Sequence, residues 1–153
     1  MNTATLLPPQ GEIRGKSHLF PARVYYEDTD TGGLVYHANY LRYAERARTE
    51  MLRVLGIHQR ELTAKTGMIF TVYKADVQYL KPARLDDALL VETALKEIGA
   101  ASVTISQVIR RPSGDSAEDI VRFNAQIACV GPDGKPMRLP AELKTSFENY
   151  ATA

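Results

Sequence analysis

The spacing of hydrophobic positions changes along the chain, and each change marks a different element. Residues 19–26 are rich in aromatic and β-branched side chains, which favours a strand. Residues 36–55 carry apolar side chains at steps of three and four, as an amphipathic helix does. These apolar positions are Tyr40, Ala44, Ala47, Met51 and Leu55. Gly56 follows them, in the position after a helix where a residue without Cβ is favoured.

After residue 67 the hydrophobic period becomes two. The alternation predicts strands over 68–80, 88–98, 102–111 and 120–130. A short helix over 58–65 precedes these strands, and a terminal helix from residue 140 follows them. One strand, one long helix and four consecutive strands do not make a β-α-β alternation. The order predicts an α+β fold in which an antiparallel sheet wraps around the long helix.

The length of the chain and its composition fit one ordinary globular domain. It has 153 residues, of which 44% are hydrophobic and 24% are charged, and this balance argues against disorder. Residues 1–18 contain two adjacent prolines and little periodicity. We therefore expect a flexible or loosely docked arm over 1–18 and a single domain over 19–150.

Charge and cysteine content exclude several classes of protein. A formal net charge of +1 lacks the basic excess of a nucleic-acid surface, so no nucleic-acid partner is expected. No apolar stretch is long enough for a transmembrane helix. The first residues lack a secretory signal, which predicts a cytoplasmic protein. The single cysteine, Cys129, forms no internal disulfide and is expected to be a small buried hydrophobe.

Candidate chemistry concentrates in the acidic turn, residues 27–33, which reads EDTDTGG. A calcium-binding EF-hand does not fit, because Asn39 occupies the twelfth position instead of a glutamate. The spacing leaves two interpretations open. The acids can cap the following helix and favour its dipole. Alternatively, one carboxylate can act as nucleophile or general base in acyl transfer.

Two features of this turn suit acyl transfer. Gly32 and Gly33 allow the backbone to approach a ligand closely. Free N–H groups near Tyr36 and His37, at the predicted start of the helix, can polarise a carbonyl group and hold a developing oxyanion. The three histidines, His18, His37 and His58, lack the spacing of metal ligands, so no metal site is expected.

The segment around this turn resembles a known family. Residues 25–40 read YYEDTDTGGLVYHANY and residues 43–52 read YAERARTEML. Residues 76–87 read DVQYLKPARLDD. These stretches closely resemble the YbgC-type acyl-CoA thioesterases associated with the Tol-Pal system, within the wider 4-hydroxybenzoyl-CoA thioesterase family. The resemblance covers roughly residues 20–139.

The resemblance implies a hotdog fold and hydrolysis of acyl-CoA to a free acid and coenzyme A. It implies that Asp30 is the catalytic carboxylate, acting as nucleophile or general base, and that the backbone N–H of His37 polarises the thioester carbonyl. No cofactor is implied, since coenzyme A is part of the substrate. Family members form homodimers or homotetramers with active sites at subunit interfaces, and an acyl carrier protein is a possible partner.

Four further residues are candidates for contact with the substrate: Tyr36, Gly33, Lys81 and Arg84. Lys81 and Arg84, together with Arg110 and Arg111, are candidates for binding the phosphates of coenzyme A. Basic residues at a sheet edge also protect against aggregation, which is the alternative interpretation of these charges. An acyl pocket between helix and sheet is expected from Met51, Met68, Ile69 and Phe70.

Other polar residues are expected to be structural. Asp28 should stabilise the turn, and Glu45 should pair with Arg42 or Arg48. Arg46, Arg48 and Arg53 should form a solvated face. No role is expected for His18, and a place at the surface or before the second helix is expected for His58.

Two rival functions stay open at this point. One is a hotdog dehydratase, which the acidic turn does not fit. The other is a non-catalytic hotdog module that binds lipid or acyl carrier protein, since a fold does not determine a function. Asp30 separates this second rival from a thioesterase, because a binding module has no need of that carboxylate.

Overall fold

The computed structural model describes residues 1, 3 and 6–152, and in this part of the chain a long helix lies on a six-stranded antiparallel sheet. The strands are β1 (Glu12–Arg14), β2 (Ser17–Arg23), β3 (Ile69–Tyr79), β4 (Ala88–Ile98), β5 (Ser102–Ser113) and β6 (Ser116–Val130). The helices are α1 (Asn39–Val54), α2 (Gln59–Thr66) and α3 (Ala141–Thr152), with a 3-10 turn at Tyr26–Asp28. The sheet order is β1-β2-β4-β5-β6-β3. The predicted α+β class is confirmed.

The predicted elements differ from the observed ones mainly at their ends. α1 begins at Asn39, three residues later than predicted, because residues 36–38 form a tight turn before it. The hairpin between β5 and β6 is longer than predicted, since its strands reach Ser113 and start again at Ser116. Its distal residues are mostly polar and exposed, so they show no hydrophobic alternation.

The predicted boundary between arm and domain is wrong. Residues 12–18, assigned to the arm, form the β1–β2 hairpin, and β2 continues into the sheet against β4. Gly11 enters this hairpin with a φ of +71°, and a Cβ there would meet the Leu19 carbonyl oxygen at 2.1 Å. The predicted arm also includes Asn2, Ala4 and Thr5, which lie outside the described residues.

His18 has a structural role that the sequence did not predict. It is fully buried on β2, opposite Thr93 of β4, and its Nε2 lies 2.8 Å from the carbonyl oxygen of Gln10. That carbonyl can only accept, so Nε2 carries the proton in the neutral ring. Burial lowers the pKa of His18 below 6.5, although the nearby Glu50 carboxylate opposes the shift.

The core fills the space between α1 and the sheet. Tyr40, Ala44, Ala47 and Met51 of the predicted stripe are all buried. α3 covers one end of the sheet and buries Phe147. Each large apolar side chain removed from water in this way contributes about 1.5–3 kcal/mol.

Cys129 is fully buried on β6, as expected. Burial raises the pKa of this thiol to about 11, so it remains protonated at neutral pH.

In the described residues no helix is both long and apolar enough to cross a membrane.

Arg48 was expected to be solvated, and this expectation is wrong. Its side chain is only 12% exposed. The guanidinium lies 5.5 Å from the centroid of the Phe123 ring and donates a hydrogen bond of 2.9 Å to Gln107 Oε1. Gln107 is a polar residue on the buried face of β5, and buried polar groups need partners. The predicted ion pair between Glu45 and Arg48 is present.

We expect acid to destabilise the fold through His18. Between its lowered pKa and 6.5 the unfolded chain binds more protons than the folded chain, so the free energy of unfolding falls as the pH decreases through this window. His18→Gln should reduce that pH dependence, as measured by urea unfolding at about pH 7.5 and about pH 5.5. His58→Gln is the matched control, because His58 is exposed before α2. An equal effect of both substitutions would contradict this assignment.

Candidate active site

The acidic turn places Asp30 between β2 and the start of α1. Asp30 Oδ1 accepts hydrogen bonds from the backbone N–H groups of Gly32 (2.9 Å) and Leu34 (3.2 Å). The Asp30 N–H donates to the Leu34 carbonyl at 2.8 Å, which closes the turn. Gly33 adopts a φ of +76°, a conformation that favours glycine. Within the described residues the side-chain hydrogen bonds of Asp30 all use Oδ1, so Oδ2 is left for a ligand.

Asp28 ties this turn to the beginning of the helix. Its buried carboxylate accepts a hydrogen bond from the Tyr25 N–H at 2.8 Å. Its main-chain carbonyl accepts two more, from the Tyr36 N–H at 2.9 Å and from Asn39 Nδ2 at 2.8 Å. The structural role expected for Asp28 is confirmed. The contribution of Asn39 was not predicted, because it depends on a contact across eleven residues.

Tyr43 lies against this buried acid. Its hydroxyl is enclosed and makes no hydrogen bond of normal geometry within the described residues. Burial, reinforced by the nearby Asp28 carboxylate, raises the pKa of Tyr43 well above 10. The phenol therefore stays neutral, and it does not supply a charge to the site.

The start of α1 presents uncapped backbone donors. Ala38 occupies the N-cap position and has no side chain that could cap the helix. Among the hydrogen bonds of residues 1, 3 and 6–152, none uses the backbone N–H of His37 as donor. Such a free N–H at the positive end of a helix dipole is suited to an anion or a developing oxyanion.

A segment after β3 forms the back wall of the turn. Ala83 is fully buried, and its N–H donates to Tyr40 Oη at 2.9 Å. Its carbonyl accepts from the Val35 N–H, also at 2.9 Å. Leu34 forms a further bridge with Arg84. These bonds hold the acidic turn, α1 and the segment after β3 in one arrangement.

An open cleft of about 420 Å³ joins these parts, and we call it the active cleft. Its lining includes Asp30, Tyr36, His37, Tyr40, Tyr79 and Lys81. The Tyr79 hydroxyl donates to the His37 carbonyl at 3.1 Å. The structure therefore brings together four of the predicted site residues, and Gly33 lies in the adjoining turn. Tyr79 was missed, because alternation along a strand does not show which end faces a ligand.

Comparison with known proteins identifies the family. Residues 32–118 match the model of the thioesterase superfamily. The acyl-CoA thioesterase YbgC of Haemophilus influenzae is 40% identical over 131 residues, covering 85% of this chain and 93% of that protein. The chain belongs to the thioesterase superfamily.

Solved structures support the same family. A probable thioesterase from Bartonella henselae is 35% identical, with a TM-score of 0.74 over 81% of this chain and 99% of that one. The 4-hydroxybenzoyl CoA thioesterase of a Pseudomonas strain is 20% identical, with a TM-score of 0.79 over 85% of this chain and 98% of that one. The second likeness concerns the fold alone. The predicted hotdog fold is confirmed.

The basic residues proposed for coenzyme A in this thioesterase differ in whether a carboxylate already pairs with them. Arg110 pairs with Glu92 and Asp119, and Arg111 pairs with Asp87 and Glu118, so both guanidinium groups are engaged. Lys81 lines the cleft, and its Nζ lies 3.0 Å from Glu118 Oε1.

Arg84 is the basic candidate with the freest side chain. It is exposed, and no described carboxylate pairs with it. Arg84 lies outside the lining of the cleft, although its bridge with Leu34 keeps it beside the acidic turn.

The residues expected to line an acyl pocket do not all lie together. Of these residues, Met51 and Phe70 line a cavity between α1 and the sheet. Met68 is buried outside that cavity, and Ile69 is 47% exposed. Across the described part of the chain, no three His, Cys, Asp or Glu side chains form a set that could hold a metal ion.

We expect Tyr40→Phe to weaken the back wall. The substitution removes the acceptor of the Ala83 N–H and leaves a buried donor unpaired, which costs about 1–3 kcal/mol of unfolding free energy. Urea denaturation measures the loss. Tyr36→Phe is the control, because the Tyr36 ring is 49% exposed and its change should stay within about 0.5 kcal/mol. Equal stability of the two variants would contradict the importance of this bond.

Proposed function

We propose that the protein hydrolyses acyl-CoA thioesters to a free acid and coenzyme A. One observation carries the proposal: the Asp30 carboxylate and the unused N–H of His37, at the start of α1, line the same cleft. The name of the relative from Haemophilus influenzae, acyl-CoA thioesterase, agrees with this chemistry.

In the proposed reaction the thioester carbonyl oxygen accepts a hydrogen bond from the His37 N–H. Negative charge grows on this oxygen as the carbonyl carbon becomes tetrahedral. The free N–H and the dipole of α1 stabilise that charge, and such fixed donors contribute strongly because they need no reorganisation. The Tyr79 hydroxyl donates to the His37 carbonyl and so helps to hold this residue in place.

Asp30 acts on the carbonyl carbon in one of two ways. As nucleophile, Oδ2 attacks, the carbon–sulfur bond breaks, and water opens the resulting mixed anhydride. As general base, Asp30 takes a proton from a water that attacks instead. In both routes coenzyme A leaves as its thiolate. A thiolate is a good leaving group, so neither route requires a metal or a cofactor.

We propose that the substrate-binding residues are Tyr36, Gly33, Lys81 and Arg84. Tyr36 offers an exposed ring, 4.5 Å from the His37 ring between centroids. Gly33 lets the acyl group pass close to the backbone of the turn. Lys81 and Arg84 lie on the segment behind the cleft, where positive charges can meet the phosphates of coenzyme A.

We propose a homodimer or homotetramer, assembled through β3. This strand has eleven residues, lies at one edge of the sheet, and pairs with β6 alone among the described strands. Its exposed apolar residues, with the one that follows it, are Ile69, Val72, Tyr73, Tyr79 and Leu80. An exposed apolar edge is a ready template for pairing with a second strand.

The alternative function is a non-catalytic module that binds lipid or acyl carrier protein. Acyl carrier protein also remains a candidate donor of the acyl group for the enzyme. The cytoplasm is the proposed location, and the single buried thiol suits a reducing compartment.

We expect Asp30→Asn to lose at least about 100-fold in kcat/KM, which corresponds to about 3 kcal/mol of barrier. The amide oxygen can still accept from Gly32 and Leu34, so the turn should persist while the carboxylate chemistry is lost. The assay follows thiol release from short, aromatic and long acyl-CoAs. Glu27→Gln is the matched control, because Glu27 is an exposed acid in the same turn.

Two results would overturn the proposal. If purified wild-type protein hydrolyses no acyl-CoA but binds acyl carrier protein, the non-catalytic module is the better description. If Asp30→Asn is as active as the wild type, the carboxylate has no role in the reaction.

For the assembly, we expect wild-type protein to sediment as a dimer or tetramer at micromolar concentration. Burial of the exposed apolar side chains of β3 supplies the driving force. Val72→Glu should shift the equilibrium toward monomer, because Val72 is 41% exposed on the edge strand. A wild-type protein that is monomeric under these conditions would exclude the proposed assembly.

A further inference from the structure

The positive charge in the active cleft is already paired with a carboxylate from outside the cleft. Among the described residues that line the cleft, Lys81 is the single lysine or arginine. Its Nζ lies 3.0 Å from Oε1 of Glu118, which is near the start of β6 and does not line the cleft. The cation is therefore held by an acid of the scaffold before any substrate binds.

Glu118 has a second partner that does not depend on Lys81. Arg111 donates to Glu118 Oε2 through Nε at 3.0 Å and through Nη2 at 2.8 Å, whereas Lys81 uses Oε1. Arg111 also donates to Asp87 Oδ2 at 2.7 Å and to the Pro82 carbonyl at 3.1 Å. The Glu118 carboxylate thus stays fixed and neutralised if the ammonium group of Lys81 leaves it.

The backbone of Lys81 is fixed, whereas its side chain is held at one point. The N–H groups of Leu80 and Lys81 both donate to the Ile120 carbonyl, at 2.9 and 3.2 Å. The side chain is 55% exposed, and within residues 1, 3 and 6–152 its ammonium group bonds Glu118 alone. An ammonium group carries three donors on a flexible stem, so it can turn to another anion while the main chain stays in place.

We propose that Lys81 exchanges Glu118 for a phosphate of the acyl carrier when substrate binds, so that Glu118 sets how tightly the cleft binds that phosphate. The inference rests on the proposed thioester hydrolysis, which brings a phosphate-bearing carrier to the cleft. The exchange costs little, because an ion pair between exposed side chains is weak. Glu118 is also a weakened competitor, since Arg111 already draws on its negative charge.

The exchange affects binding and leaves the chemical step alone. In the described chain none of the hydrogen bonds of Glu118 reaches Asp30 or His37. A phosphate held by Lys81 is equally far from the reacting atoms in the ground state and in the transition state. Such uniform binding alters KM and not kcat. Because the charges are exposed, salt should weaken the effect.

Glu118→Gln tests the exchange, because it keeps an oxygen for Arg111 and removes the charge that holds Lys81. With the acyl-CoA that the wild type hydrolyses fastest, KM should fall about two- to fivefold at low salt, the range expected for one exposed ion pair. The kcat should be unchanged, and the difference should disappear at about 1 M NaCl. Asp115→Asn is the matched control and should leave KM unchanged, since Asp115 is an exposed acid of the same hairpin that does not pair with Lys81.

A second pair of variants shows whether the effect passes through Lys81. Lys81→Met should raise KM several-fold, because the cleft loses its cation. Glu118→Gln added to Lys81→Met should then change nothing further, although it lowers KM in the wild-type background. This dependence of one substitution on the other isolates the pair. Thermal unfolding checks that each variant is folded.

Three thioesters of the same acyl group identify the phosphate. Acyl-CoA carries the phosphates of the nucleotide and of the pantetheine arm, acyl-phosphopantetheine carries only the latter, and the N-acetylcysteamine thioester carries none. Glu118→Gln should leave KM for the N-acetylcysteamine thioester unchanged. A lower KM for acyl-CoA alone assigns the exchange to the nucleotide phosphates. A lower KM for acyl-phosphopantetheine as well assigns it to the arm, which acyl carrier proteins share.

The contrary results separate this inference from the proposed function. If the wild type hydrolyses none of the three thioesters, the proposed function itself fails. If it hydrolyses them but Glu118→Gln changes KM for acyl-CoA no more than Asp115→Asn does, the exchange is overturned while the thioesterase activity stands. The exchange is also overturned if KM for the N-acetylcysteamine thioester falls equally, or if the effect of Glu118→Gln persists beside Lys81→Met.

Discussion

The candidate site depends on one peptide carbonyl, that of Asp28, which accepts hydrogen bonds from both the Tyr36 N–H and the Asn39 side chain. Asp30 lies two residues beyond this carbonyl, and His37 lies between its two donors. A carboxylate and an N–H must keep a fixed separation to act on one thioester, and a loop alone would not keep it. Buried hydrogen bonds supply that rigidity, because breaking one leaves an unpaired polar group.

The same start of α1 shows a compromise between stability and chemistry. A serine or aspartate at the N-cap would bond an N–H of the first turn and stabilise the helix by about 1 kcal/mol. Ala38 occupies that position and offers no such side chain. The hydrogen bonds of Ala83 to Val35 and Tyr40 hold this end of the helix instead. The His37 N–H, one residue before the N-cap, therefore stays free in a turn that is fixed from its other side.

The sequence predicts most of the architecture, because hydrophobic periodicity is a local property. It predicts α1, five of the six strands and the acidic turn with Asp30, and the resemblance adds the fold family. It does not predict the positions of His18, Arg48 or Tyr79. Arg48 and Tyr79 depend on partners far along the chain, Gln107 and the His37 carbonyl respectively. His18 depends on the fold of the residues before it, which bring the Gln10 carbonyl to its ring. Polar residues are expected at the surface by default, so buried ones are the hardest to find.

Strand β3 links the candidate site with the proposed assembly. Its last residue, Tyr79, lines the active cleft, and its outer edge has hydrogen-bonding groups and apolar side chains without a partner strand in the described chain. A strand that is pinned on one side by β6 alone can twist and bend more than a central strand. Pairing of its free edge with a second copy would stiffen it, and the hydrogen bond from Tyr79 to the His37 carbonyl would be held more firmly at the same time. The register of β3 thus matters both for assembly and for the position of Tyr79, and the irregularity between Val72 and Lys74 lies along the same strand.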